Sequence, residues 1–236
     1  MMRIWIWAVA LWLMVAGTAW AENTTGKPVV VVELFTSQGC SSCPPADAFL
    51  HELAKREDVI ALSLHVDYWD YLGWKDAFAQ NIFTKRQQTY AKVGHRRSVY
   101  TPQMIIQGQE HVVGNHPMDV TDIIAKFQKR SQAVTLKASR NGGKLRIAAQ
   151  SRRPIKGPLV VHVVDYSPSA KTEIRRGENA GKTISYVNVA RVWTVAGQWN
   201  GAAPLDMKVR AGKSKHTIVI VQSGTNGPIL AATRVE

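Results

Sequence analysis

Cys40 and Cys43 are the only cysteines among the 236 residues of the chain, and two serines separate them. The pair follows an apolar run at 29–35 that is typical of a buried strand. It precedes Pro44 and Pro45, which suit the first turn of a helix because N–H groups there have no intrahelical acceptor. A Cys-x-x-Cys pair at a helix start favours thiol–disulfide chemistry, in which one sulfur is activated as thiolate and the other resolves it.

The two sulfurs have different expected roles. Cys40, at or just outside the first helical turn, faces unpaired backbone N–H groups and the positive end of the helix dipole, which both favour a thiolate. We therefore expect Cys40 to be the solvent-reachable nucleophile and Cys43, one turn further in, to be the resolving thiol. A bridge that closes so short a loop removes little entropy from the unfolded chain, so a purely structural disulfide is a weak explanation.

Two other function classes are compatible with the same pair. One is a binding module for Cu(I) or another soft metal, in which His65 or His95 completes a site begun by the two thiolates. The other is a non-catalytic scaffold with an idle disulfide. The main hypothesis requires no cofactor. No Ser/His/Asp set or phosphate loop stands out in the sequence, so hydrolase and nucleotide-binding functions have no motif to support them.

The elements around the cysteines are predicted in the order β-α-β-α-β-β-α. Apolar runs and helical stripes predict strands at 29–35, 59–66, 103–107 and 110–114, and helices near 45–56, 74–92 and 117–130. The opening β-α-β unit implies parallel strands with a right-handed crossover, and the closing hairpin adds antiparallel strands. We therefore predict an α/β domain with a mixed sheet.

After Ser131 the hydrophobic pattern changes from helical to alternating. Strands are predicted at 134–138, 144–148, 158–166, 172–176, 183–195, 205–210, 216–222 and 228–235. Short strands without helices favour an all-β, sandwich-like domain. The predicted organisation is a leader at 1–21, an α/β domain at 22–131 and an all-β domain at 132–236.

The N-terminal residues predict export. A short positive segment, an apolar stretch at 4–16 and the small residues Ala19 and Ala21 fit a cleaved secretory leader. The stretch is shorter than the roughly 20 residues of a membrane-spanning helix, and an uncleaved anchor is the alternative. We expect a periplasmic or secreted protein with no stable membrane insertion after cleavage. The net charge of +13 comes from scattered basic residues without a recognition helix, so nucleic acid is not an expected partner.

Residues 28–131 resemble the thioredoxin-fold superfamily. The resemblance rests on the order of elements, the Cys-x-x-Cys pair at a helix start, and Thr101-Pro102 before the closing hairpin. In that superfamily a cis proline lies beside the redox pair, which implies this place for Pro102 and a substrate-facing Thr101. The implied partners are protein thiols or disulfides and an envelope redox partner. The direction of electron flow stays open, because oxidases, reductases and isomerases share this constellation.

The chain beyond the leader also resembles a family of exported, largely uncharacterised bacterial thioredoxin-like proteins. Residues 33–47 and the segment Arg-Gly-Glu-Asn-Ala-Gly at 176–181 carry this resemblance, which implies a fold and a compartment without a settled reaction. The loop at 175–181 is a polar connection between predicted strands. It is either a binding loop or a turn whose charges pair internally.

Weaker candidates flank the second predicted strand and the proline. The aromatic residues within 65–70, together with Trp74, either form a wall of the substrate site or pack a helix onto the sheet. Asp67 and Glu33 are candidate buried proton acceptors. The basic run at 95–97 either stabilises a thiolate or is solvated surface.

Overall fold

The computed structural model describes residues 28–235, so the predicted leader at 1–21 lies outside it. The helices are α1 Pro44–Ala54, α2 Asn81–Val93 and α3 Pro117–Gln128, with a 3-10 helix at Asp70–Leu72. The strands are β1 Val30–Thr36, β2 Val59–His65, β3 Gln103–Ile106, β4 Glu110–Val113, β5 Val134–Asn141, β6 Lys144–Ser151, β7 Leu159–Glu173, β8 Thr183–Trp199, β9 Leu205–Arg210, β10 Thr217–Ser223 and β11 Ile229–Arg234. Within the described residues, no helix is long and apolar enough to cross a membrane.

The described strands form a large mixed sheet and a separate antiparallel one. The large sheet has the order β11-β10-β7-β8-β2-β1-β3-β4, and the smaller sheet has the order β5-β6-β9. β1 runs parallel to β2 and antiparallel to β3, so the predicted mixed sheet is confirmed. Strands before and after residue 131 both contribute to the large sheet. The two groups of strands are connected where β2 pairs in parallel with β8, at Ser63 and Val189. The division into domains near that residue stays a prediction.

The two faces of β1 pack into different cores, which explains its uninterrupted apolar sequence. Val32 and Leu34 belong to a cluster with residues of α1 and α3. Val31 and Phe35 belong to a cluster with residues of α2. Burial of both faces is typical of a central strand that helices cover on both sides. β1 thereby fixes the position of the cysteine loop, which follows directly at its carboxyl end.

A third cluster joins the smaller sheet to the large one. It contains Leu145 and Ile147 of β6 together with Val161 of β7 and Val219 of β10. The predicted alternation is observed along β6, where buried residues alternate with less buried ones, but not regularly along β5. The strands after residue 131 thus form a core of their own while also extending the large sheet.

α2 begins at Asn81 rather than near residue 74, and Asp76 supplies the reason. Its carboxylate accepts the backbone N–H of Phe78 at 2.8 Å and the backbone N–H of Gln38 at 2.8 Å. An Asp that bonds the N–H two residues further on forms a local turn that competes with helix. Residues 74–80 therefore lie as a loop against the segment that precedes Cys40.

β7 is continuous where the sequence predicted two strands, at 158–166 and 172–176, whereas β8 was predicted as one strand at 183–195 and extends to Trp199. β10 pairs with β7 along Leu159–Asp165, and β2 pairs with β8 at Val189. Beyond these points the two strands pair with each other as far as Glu173 and Thr183. Residues 169–187 therefore extend past the sheet. We call this segment the hairpin arm and residues 174–182 its tip.

Candidate active site at the cysteine pair

Cys40 and Cys43 form a disulfide at the N-terminus of α1, with their Cα atoms 5.4 Å apart. Cys43 is the N-cap residue, and its carbonyl accepts the N–H groups of Ala46 at 2.9 Å and Asp47 at 3.0 Å. No side chain caps this helix end. Pro44 and Pro45 have no N–H, and the N–H groups of Ala46 and Asp47 are used by Cys43, so after reduction it is the helix dipole that favours a thiolate at this end of the helix.

The two cysteines are both buried, which differs from the expected solvent-reachable Cys40. Cys40 is 3% exposed and Cys43 is fully buried, whereas Ser41 and Ser42 between them are exposed. The Oγ atom of Ser42 lies 3.5 Å from the sulfur of Cys40. The tip of the hairpin arm, a distant part of the chain, packs on the cysteine loop, as does Trp69.

The arm tip holds the cysteine loop through Asn179. This side chain is fully buried, and its Nδ2 group donates to the carbonyls of Gln38 at 3.0 Å and Cys40 at 2.9 Å. Its Oδ1 atom accepts from the Nζ group of Lys182 at 2.9 Å. Beside it, the carboxylate of Glu178 accepts the backbone N–H of Ser41 at 3.3 Å. The polar loop noted at 175–181 therefore lies against the cysteines.

Gln38 connects the cysteine loop to three parts of the chain. Its backbone N–H donates to Asp76, its side-chain Nε2 donates to Thr172 of the arm at 3.2 Å, and its Oε1 accepts from Trp74 at 2.8 Å. The side chain is fully buried. Sequence reasoning did not name Gln38, Asp76 or Asn179 as site residues, although Gln38 and Asn179 lie in the two segments, 33–47 and 176–181, that carry the family resemblance.

The peptide bond between Thr101 and Pro102 is cis, as the resemblance implied. The hydroxyl of Thr101 accepts a hydrogen bond from the indole N–H of Trp69 at 2.7 Å. Trp69 also packs on the cysteine loop, because a Cβ at Gly39 would lie 3.2 Å from its Cβ. A Cβ at Gly114 would lie 3.2 Å from both Ala46 of α1 and Pro102. The structure thus brings the Thr-Pro segment next to α1 and the cysteine loop.

The aromatic segment after β2 contains both packed and exposed side chains. Trp69 is half-buried and stacks on Tyr71 with ring centroids 6.4 Å apart, whereas Tyr71 is 77% exposed. The indole of Trp74 is tied to Gln38. Trp69 and Trp74 are thus engaged in packing and hydrogen bonding, and a substrate-binding role of the exposed aromatic residues stays a prediction.

Asp47 is a buried acid one helical turn after Cys43. Its side chain is 3% exposed, and neither carboxylate oxygen has a hydrogen-bond partner among the described residues. Burial raises the pKa of Asp47 well above its usual value, and the negative charge of Asp76 raises it further. Burial also raises the pKa of Tyr186, and the charge of Asp47 raises that pKa further. A carboxyl group in such a position is a proton acceptor of raised basicity.

A histidine–carboxylate pair lies beside this acid. The Nδ1 atom of His65 is 2.6 Å from Oδ2 of Asp76, and both side chains are completely buried. The ring of His65 also packs edge-on against Tyr186 of the arm, with centroids 4.7 Å apart. Asp76 therefore links His65 to the backbone of Gln38, and so to the cysteine loop.

The other candidate proton acceptors are engaged elsewhere. Glu33 forms a buried ion pair with Arg86 at 2.6 Å and belongs to the core on the α2 side of the sheet. Asp67 accepts hydrogen bonds from Thr84 at 2.6 Å and Asn81 at 3.1 Å at the start of α2. Its pKa is lowered, because these hydrogen bonds outweigh the effect of burial.

The soft-metal alternative requires further ligands beside the two cysteines. Within residues 28–235, no group of three or more His, Cys, Asp or Glu side chains is arranged to hold a metal ion. His65, one of the ligands considered, directs Nδ1 at Asp76.

Comparison with known proteins identifies similar sequences and structures. A family profile described as "Protein of unknown function (DUF1223)" matches residues 31–222. A crystal structure of a protein from Agrobacterium tumefaciens is 32% identical, with a TM-score of 0.78, over 89% of this chain and 95% of that one. HBP35 of Porphyromonas gingivalis is 14% identical, with a TM-score of 0.63, over 88% and 74% of the two chains, a likeness of fold alone. A search of curated proteins found no match.

Proposed function

The chain belongs to the DUF1223 family, and we propose that it is an envelope thiol–disulfide oxidoreductase that uses Cys40 and Cys43 on protein substrates. The observation that carries the proposal is the Cys40–Cys43 disulfide at the N-terminus of α1. The cis Thr101–Pro102 segment, which Trp69 connects to the same loop, supports it.

The arrangement of elements supports a thioredoxin-like unit within the large sheet. β1 is central, β2 is parallel to it, and the β3–β4 hairpin is antiparallel, with α1 and α3 in one core and α2 in the other. We assign the strands after residue 131 to a sandwich-like part, because two sheets share its core. The leader at 1–21 supports export, and with it an oxidising compartment and an envelope redox partner.

Each proposed step uses groups at the site. In the reduced protein, the thiolate of Cys40 attacks a substrate disulfide and forms a mixed disulfide, while one substrate sulfur leaves and takes up a proton. Cys43 then loses its proton and attacks the sulfur of Cys40, which releases the second substrate sulfur and restores the Cys40–Cys43 bond. Asp47, buried one turn from Cys43 and of raised pKa, accepts the Cys43 proton. The same steps in reverse oxidise a substrate dithiol.

Trapping with single-cysteine variants tests this proposal. Cys43→Ala retains the nucleophile and lacks the resolving thiol, so it should hold polypeptides as mixed disulfides that a reductant releases. Cys40→Ala is the matched control and should hold none. The mixed disulfides are detected on non-reducing gels and identified by mass spectrometry.

Alkylation of Cys40 by iodoacetamide in the Cys43→Ala variant provides an independent measurement. The pH midpoint of the rate reports the thiol pKa whatever the accessibility of the sulfur. We expect a midpoint below the value of about 8.5 for a free cysteine. A midpoint at or above that value, together with equal trapping by both variants, would exclude the proposed chemistry.

A further inference from the structure

The arm tip packs on the backbone of the cysteine loop, beside a sulfur that a reaction partner has to reach. Cys40 is 3% exposed although its neighbours Ser41 and Ser42 are exposed. Exchange requires a second sulfur to approach Cys40 directly. The arrangement observed is therefore a closed one, and it has to open for the proposed reaction.

Asn179 makes the contacts that keep the tip closed. Its two amide hydrogens are used by the carbonyls of Gln38 and Cys40, which lie on either side of Gly39. When Asn179 leaves, these two buried acceptors need new donors, because unsatisfied buried carbonyls are costly. The backbone N–H groups of an extended polypeptide are such donors and follow one another along the chain, whereas a small thiol has no backbone N–H to offer.

The tip forms a turn that is closed by its own backbone hydrogen bonds. It is closed on itself by backbone bonds from Ile174 to Lys182 and from Gly181 to Ile174. Gly177 and Gly181 on either side of Asn179 have positive φ values of 76° and 81°, a conformation that favours glycine. The tip residues other than Ile174 and Asn179 are exposed or half-buried. Besides the hydrogen bonds of Asn179 and Glu178, the buried Ile174 and the close approach of Gly177 to Leu72 and Trp74 hold the tip, so its release has to break these contacts as well.

We propose that the arm tip is a displaceable cap on the redox pair, that Asn179 is the positioning residue that holds it closed, and that an extended dithiol or disulfide polypeptide takes its place on the carbonyls of Gln38 and Cys40. The proposal rests on the proposed function and adds its substrate class. The cap therefore favours polypeptides over small thiols as substrates, because a polypeptide compensates for the lost hydrogen bonds of the cap and a small thiol does not.

The proposed exchange with a dithiol polypeptide has two steps. One thiolate of the polypeptide attacks the sulfur of Cys40, the Cys40–Cys43 bond breaks, and Cys43 leaves with the electron pair and takes up a proton. The second thiolate of the polypeptide attacks its own sulfur in the mixed disulfide and releases Cys40 as thiolate. The polypeptide is oxidised by two electrons and the protein is reduced by two.

Reduction kinetics of the oxidised protein test the cap. Asn179→Asp keeps the size of the side chain, loses both donors and places a carboxylate against two carbonyls. Asn188→Asp is the matched control, because Asn188, in the strand that follows the tip, donates to the carbonyl of Ala61 at 3.0 Å rather than to the cysteine loop. The reductants are dithiothreitol and a synthetic ten-residue peptide with two cysteines. Single-turnover rates are followed by acid quench and mass spectrometry.

The expected result separates binding from chemistry. Asn179→Asp should raise the second-order rate constant for dithiothreitol about tenfold, the scale of two net hydrogen bonds. It should lower the half-saturating peptide concentration by a similar factor and leave the limiting rate unchanged, because bound peptide has already displaced the cap. Asn188→Asp should change neither. N-methylation of the peptide on both sides of its first cysteine should raise the half-saturating concentration in every variant.

Other outcomes overturn the cap or the function separately. Equal dithiothreitol rates in the wild type and Asn179→Asp, with the peptide still oxidised, would refute the cap and leave the proposed function standing. Faster dithiothreitol reduction without peptide oxidation in any variant would refute the polypeptide substrate and the proposed function, and would retain the cap. If Asn179→Asp does not fold by circular dichroism, Glu178→Gln takes its place, with a smaller increase expected.

Discussion

Acid should destabilise this protein through His162, a buried histidine of β7. The indole N–H of Trp193 donates to Nδ1 of His162 at 3.1 Å, so the ring is neutral with its proton on Nε2. Nε2 has no hydrogen-bond partner among the described residues. Burial lowers the pKa of His162 from 6.5 to about 3, and the positive charge of Arg86 contributes to the shift.

The size of the effect follows from proton linkage. The unfolded chain binds a proton at this histidine below about pH 6.5, whereas the folded chain binds it only near pH 3. The unfolded state therefore holds more protons in that window, and stability falls as the pH falls through it. From pH 7 to pH 5, the free energy of unfolding should decrease by about 2 kcal/mol through this group alone.

Urea denaturation at pH 5, 6 and 7 measures this decrease, with circular dichroism and tryptophan fluorescence as probes. His162→Asn is the matched variant, because its side-chain oxygen still accepts from Trp193 and it does not titrate. Other groups with shifted pKa values, such as Asp47 and His111, are common to both proteins and cancel in the comparison. If the wild type and the variant lose equal stability from pH 7 to pH 5, the reasoning from burial is refuted.

Three further substitutions have expected outcomes that follow from buried contacts. Arg86→Met leaves the buried carboxylate of Glu33 without its cation and should cost about 3–5 kcal/mol in urea denaturation, part of which Glu33→Gln should restore. The raised pKa of Asp47 in the folded state makes the wild type lose stability as the pH rises above about 4. Asp47→Asn does not titrate, so its stability relative to the wild type should increase with pH, by up to about 1.4 kcal/mol per pH unit. Denaturation from pH 4 to pH 8 measures this difference. Gly114→Ala places a Cβ 3.1–3.2 Å from three buried neighbours, Pro102 among them, and should lower stability by about 1–3 kcal/mol and slow reduction by dithiothreitol, measured by thermal melting and by the exchange rate.

The part of the fold around the cysteines follows local signals in the sequence. The apolar run predicted β1, and Pro44 at the start of α1 gave the helix boundary. α3 was predicted at 117–130 and is observed at Pro117–Gln128, where a proline also occupies the first turn. Such signals depend on neighbours within one or two helical turns, which is why they are readable without the rest of the chain.

The hairpin arm was not predicted, because its strands contain features that usually end a strand. Pro168 lies within β7, where the sequence predicted a break between 166 and 172. Proline has no N–H to donate, so it is tolerated only where one side of a strand lacks a partner. β10 pairs with β7 only as far as Asp165, and Pro168 lies beyond that point. A proline fits at this position because β10 stops pairing with β7 before it, and the end of that pairing depends on tertiary structure that the sequence pattern does not give.

The cap contacts could not be predicted for the same physical reason. Asn179 is far from Cys40 along the chain, and no periodicity or spacing specifies which loop meets which carbonyl. What places it there is the extension of the large sheet across residue 131, through β2 and β8 and through Arg86, which donates to Asn226 at 3.1 Å. The contacts that join the two predicted domains are thus the ones that hold the arm at a fixed position. The proposed reaction at Cys40 would therefore depend on residues after 131, even though both sulfurs and the cis proline precede it.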